Sequence, residues 1–157
     1  MQAFNYKMVN NLLPLYSIIG ERGEKYCRYC RKKSGLNNLE TMEHVFIGCI
    51  VASMVWGRIN LKLHRRGIVG IDLGVDTIIY KLGMPGELVL LVSEVNWALW
   101  KNRNNNNAVI GNNVGGAKVV REMFSKRIKK LLRVDRKILK ANKFKERWGE
   151  MDKIIGD

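Results

Sequence analysis

The placement of the three cysteines and one of the two histidines constrains this chain more than any other feature. Cys27 and Cys30 are followed by His44 and Cys49, giving C-x2-C-x13-H-x4-C. Two cysteines three apart sit on a tight turn that aims both sulfurs at one point. A histidine and a cysteine five apart on a helix lie within reach of that same point. Three soft thiolates and an imidazole suit tetrahedral zinc, and a closed four-ligand shell marks a structural site, not a catalytic one. The spacing lies close to the zinc-finger range. The expected cofactor is therefore one structural Zn2+ on Cys27, Cys30, His44 and Cys49. The competing readings are a disulfide with one thiol left over, unrelated buried thiols beside a core histidine, or a redox C-x-x-C pair. The redox reading lacks a surrounding βαβ pattern. His64 as a substitute for His44 is too far along the chain and reads better as a surface or nucleic-acid contact.

At 157 residues the chain is about one domain long, and 46% hydrophobic content fits a folded protein. A net charge of +14 points to a polyanionic partner, nucleic acid before anionic membrane. An odd number of cysteines argues against a secreted disulfide scaffold and for a reducing compartment. The apolar stretch from Leu12 to Ile19 holds Pro14 and is too short to span a bilayer. The expectation is an intracellular protein with no membrane segment.

The fold class expected is mainly α: a small zinc-stabilised module with a helical core and a long basic C-terminal helix. Pro14 and Gly20 bracket a short helix. Asn37 with Glu40 has the form of a capping box, so an amphipathic helix should start near Asn37 or Asn38 and run to about Leu61, carrying His44, Cys49 and Trp56. Residues 64–86 read as a loop with a short turn. The Gly70-Ile71-Asp72-Leu73-Gly74 fragment lacks the phosphate loop that would make it a nucleotide site. Residues 87–103 are apolar nearly all round and should form the central core helix, with Trp97 and Trp100 packing there in preference to stacking bases. Residues 104–116 are rich in Asn and Gly and read as a linker. Residues 117–155 read as one long helix with Val120, Phe124, Ile128, Leu131, Ile138 and Leu139 as its apolar stripe, extended by Phe144, Trp148, Met151 and Ile155. The domain division is thus 1–103, 104–116 and 117–157.

That last helix carries most of the charge. Ala117 to Arg147 holds thirteen Lys or Arg against Glu122, Asp135 and Glu146, which is +10 of the total +14. A solvated helix face normally mixes signs to gain i,i+4 pairs, and this one does not. Phosphates would relieve the repulsion and release counterions. Lys126, Arg127, Lys129, Lys130, Arg133, Arg136, Lys137 and Lys140 are the expected nucleic-acid contacts. A plain exposed basic helix, or one that binds a membrane surface or a calmodulin-type partner, are the alternatives.

Leu12-Leu13-Pro14-Leu15, the C-x-x-C pair, Glu40-Thr41-x-x-His44-x-Phe46-x-x-Cys49 and Trp56 resemble the zinc-binding domain downstream of reverse transcriptase in non-LTR retrotransposons. Trp97-Ala98-Leu99-Trp100-Lys101-Asn102-Arg103-Asn104 is similar to a W-x-x-W-K-x-R-N segment that often follows it there. The resemblance spans about residues 11–105. It implies Cys27, Cys30, His44 and Cys49 as metal ligands, and a module that helps a reverse transcriptase polypeptide hold RNA or target DNA in the nucleus. The x13 gap is longer than that family leads one to expect, and the polymerase palm and thumb are absent.

No pattern supports catalysis: there is no paired Asp-Asp, Walker loop or H-E-x-x-H, and Glu87, Glu94 and Lys101 make a poor nuclease cluster. The functional expectation is a non-catalytic zinc-dependent nucleic-acid-binding module. The alternatives are a protein-interaction module using the stripe of the 117–155 helix, and a retroelement remnant without function.

Overall fold

The computed structural model describes residues 2–19, 25–108 and 116–149, and their regular structure is helical. In chain order they form α1 (Gln2–Val9), α2 (Tyr16–Ile19), α3 (Arg28–Ser34), a π-helical turn (His44–Gly48), α4 (Ile50–Arg65), a second π-helical turn (Asp76–Tyr80), α5 (Gly86–Ala108), α6 (Ala117–Ile138) and α7 (Ala141–Trp148). The β pairing among these residues is an isolated antiparallel bridge between Tyr26 and Leu39. The mainly helical expectation holds.

α5 is the axis of the fold. From Leu91 to Asn102 every side chain except those of Trp97 and Lys101 is buried, as an all-round apolar helix requires. α6 packs along it, the first π-turn and α7 pack against it, and α4 closes on α6. Phe46 and Trp100 meet at 6.5 Å between ring centroids, with Phe4 of α1 edge-on to Phe46 at 6.2 Å. Trp56 is fully buried and its indole N–H donates to the Phe46 carbonyl at 2.8 Å. Between α4 and α5, the Asn60 carboxamide holds Ile71 by both its N–H (2.8 Å) and its C=O (3.0 Å), and Asn96 donates to the Ile78 carbonyl at 2.7 Å. These bonds fix the 64–85 connection, which includes the second π-turn in place of a plain loop.

Several boundaries differ from the sequence reading. No helix starts at Asn37 or Asn38: residues 36–40 are non-helical, because 38–40 pair with 25–27, Cys27 N–H bonding the Asn38 carbonyl (2.8 Å) and Glu40 N–H the Lys25 carbonyl (2.9 Å). The cap falls instead on Thr41, whose hydroxyl accepts the His44 N–H at 3.1 Å. α4 then continues to Arg65, past Leu61. Asn104 to Ala108 belong to α5, so that part of the expected linker is helical; 109–115 lie outside the described residues.

The long C-terminal helix is broken. Leu139 and Lys140 are extended (ψ 141° and 151°), and α7 folds back. A straight helix would leave Phe144 and Trp148 in solvent. The bend buries Trp148 and lets its indole N–H donate to Asp135 Oδ2 at 2.9 Å, with Arg147 Nε on the same oxygen at 3.0 Å. Ile138, expected in the stripe, is exposed, and Leu132 takes a buried position instead. Met151 and Ile155 lie outside the described residues. α6 and α7 are part of the same core as the cysteine cluster, not a separate basic appendage.

Candidate metal centre

Cys27, Cys30, His44 and Cys49 converge, with their ligand atoms all within 4.8 Å of one another. Cys27 caps α3 and Cys30 lies in its first turn; Gly35 ends that helix at φ 68°, in the left-handed region that favours glycine. His44 opens the first π-turn and Cys49 follows it in an extended conformation that also caps α4. On a regular α-helix, residues five apart point about 140° away from each other. The wider π-turn, closed by Cys49 N–H on the His44 carbonyl, brings the two ligands to one side.

The distances fit zinc. A tetrahedral ion with Zn–S of about 2.3 Å and Zn–N of about 2.0 Å sets its ligands apart by about 3.8 Å for S···S and about 3.5 Å for S···N. Here Cys30 Sγ lies 3.4 Å from His44 Nε2 and 3.7 Å from Cys49 Sγ, and Cys27 Sγ lies 4.0 Å from Cys49 Sγ. The three cysteines are buried and unbridged, and His44 is half-buried. The fold brings together all four residues singled out by spacing; the disulfide and scattered-thiol readings do not describe this cluster.

The surroundings are built for thiolate. Backbone N–H groups of Cys30, Ile50 and Val51 lie against the sulfurs of Cys27, Cys30 and Cys49 respectively. Cys49 also sits at the positive end of α4. Among the bare side chains only one sulfur ionises easily. A hydrogen bond from Cys49, aided by His44, draws Cys27 down to about 4 despite burial. The same bond pushes Cys49 up, and burial pushes Cys30 up. Three thiolates in one buried spot need a cation, and a divalent ion supplies it. The donor set, geometry and backbone donors therefore fit a metal ion with four protein ligands and no open position.

The Cys/His cluster is wired to α5 by residues the sequence motif contains. Buried Glu40 pairs with Arg103 (Nε–Oε1 3.2 Å), and that guanidinium lies 4.8 Å from the centroid of Trp100. Trp100 in turn meets Phe46 within the π-turn. Tyr29, between the first two ligands, places its hydroxyl where a Cβ on Gly116 would come within 3.2 Å. The start of α6 thus abuts the cysteine turn, a junction that no local pattern announces.

The expected nucleic-acid contacts divide. Lys126, Lys129, Lys130, Arg133, Lys137 and Lys140 are exposed. Arg127 is not available: it pairs through Nε with the fully buried Glu94 and lies 4.1 Å from the centroid of Trp97. Arg136 is exposed but lies 5.8 Å from the Phe144 ring centroid. The same geometry removes Glu94 from any nuclease reading. His64 is exposed near the end of α4, outside the cluster. No protein-family model, curated protein or solved structure matches the chain. No helix among the described residues is long and apolar enough to cross a membrane.

Proposed function

We propose that this chain is a non-catalytic, zinc-stabilised nucleic-acid-binding module of the kind found after the reverse transcriptase of non-LTR retrotransposons. It would act in the nucleus, holding RNA or DNA beside a reverse transcriptase polypeptide. The observation that carries the reading is the exposed face of α6. Lys118, Lys126, Lys129, Lys130, Arg133 and Lys137 share it, and none has an ionic partner among the described residues. Unpaired cations that repel one another on one face are stabilised by phosphates, with counterion release adding to affinity. α5 and α4 pack behind that face.

The retroelement part rests on the motif residues acting as one unit. Glu40, Phe46, Trp56, Trp100 and Arg103 are one another's partners around the four ligands. The protein-interaction reading loses its main surface, since Val120, Ile128 and Leu132 of the α6 stripe are buried within the chain.

The test is charge reversal, Lys126→Glu, Lys130→Glu, Arg133→Glu and Lys137→Glu together. Binding to nucleic acid, followed by fluorescence anisotropy at low salt, should be abolished while helicity and metal content persist. Unchanged affinity would refute the reading.

A further inference from the structure

The six cations of the α6 face are not one stripe. At 100° per residue, Lys118 and Lys129 lie within about 20° of each other, with Arg136 in line. Lys126, Lys130 and Lys137 lie within about 40° of each other, centred about 90° from the first row, and Arg133 falls between. With Cα atoms about 2.3 Å from the axis and an extended lysine reaching roughly 6 Å further, the two rows of ammonium groups stand roughly 12 Å apart. A single strand offers one line of phosphates. A duplex offers two, and the major groove of B-form DNA between them is about 12 Å wide, so two ammonium rows that far apart reach its two walls.

What the face lacks points the same way. Single-strand binders stack bases on exposed aromatic rings. Among the described residues of α6 the one aromatic, Phe124, packs against the core, and the nearby Trp97 is covered by Arg127. The deep, narrow major groove of an A-form helix does not admit an α-helix. Glu122, near the start of α6, is the one acid on the face.

Resting on the nucleic-acid reading above, we infer that the ligand of this face is B-form double-stranded DNA. α6 seats along the major groove, with one cation row on each phosphate ridge. Contacts of this kind set position and affinity and carry no direct sequence readout.

The experiment uses the full zinc-loaded chain and a DNA duplex of about twenty base pairs, twice the roughly ten that a helix of about 33 Å can span. The competing probes are its separated strands and an RNA duplex of the same sequence. Anisotropy titrations between about 50 and 200 mM salt should show the DNA duplex bound at least about ten-fold tighter than the other probes. With six phosphates engaged, the log–log salt slope should be about −5.4, a loss of roughly forty-fold for each doubling of salt. Lys118→Gln with Lys129→Gln should flatten the slope by about 2, and Lys126→Gln with Lys130→Gln and Lys137→Gln by about 3. All five positions are exposed, and circular dichroism verifies that the variants fold. Equal or tighter binding of single strands or duplex RNA overturns the inference and leaves the broader reading standing. So does one row whose neutralisation changes nothing. Failure to bind any probe at the lowest salt overturns both.

Discussion

Arg127 shows how far a residue's neighbours in space can redirect its role. In sequence it stands between Lys126 and Ile128 in a run of cations and belongs with them as a phosphate contact. Its partner, Glu94, is fully buried on α5, thirty-three residues away, and only the packing of α6 on α5 pairs them. A local pattern cannot carry that information. Arg127→Met should leave a buried carboxylate unpaired and cost about 3 kcal/mol, the low end for such a loss because the arginine is 38% exposed. Denaturant unfolding would measure it. Lys130→Gln should do the reverse, weakening nucleic-acid binding and leaving stability near wild type. The four residues of the candidate metal cluster, by contrast, were legible as they stood. Their chemistry is specific, and two pairs close in sequence can converge in few ways.

Among the elements, the short π-turn does more for the metal site than its five residues suggest. H-x4-C fits an α-helix poorly, and the widened turn with a break at Cys49 resolves the misfit. Residue spacing alone carried the ligands but not the backbone that presents them, and the capping signal at Asn37 was outweighed by extended pairing of residues 38–40 with 25–27. α7 is the second case. Its fold-back depends on Trp148 reaching Asp135, a contact between residues whose periodicity also fits one straight helix. Trp148→Phe keeps an aromatic ring but removes the donor and part of the buried volume. It should cost about 1–2 kcal/mol and raise hydrogen exchange first in α7.

At the scale of the whole molecule, the α5 core was foreseen from its composition, but the division into zinc module, linker and basic tail was not what folding produced. Glu40–Arg103, Phe46–Trp100 and the Tyr29–Gly116 junction tie the metal site through α5 to the start of α6. The long separation in sequence between these partners hid the tie. Unfolding should therefore be a single transition, with tryptophan fluorescence and far-ultraviolet circular dichroism changing together. Separate melting of the α5–α6 pair after metal removal would contradict that coupling.

The proposed function requires that one metal ion on Cys27, Cys30, His44 and Cys49 hold this fold together. Native mass spectrometry of the wild-type chain and of His44→Ala, each with a melting curve, tests it most directly. Structural zinc of this kind contributes on the order of 10 kcal/mol of apparent binding energy, so its loss has a large effect. One zinc is expected per wild-type chain and none in the variant, with loss of cooperative unfolding. A wild-type chain that is folded and metal-free, melting as the variant does, would contradict it.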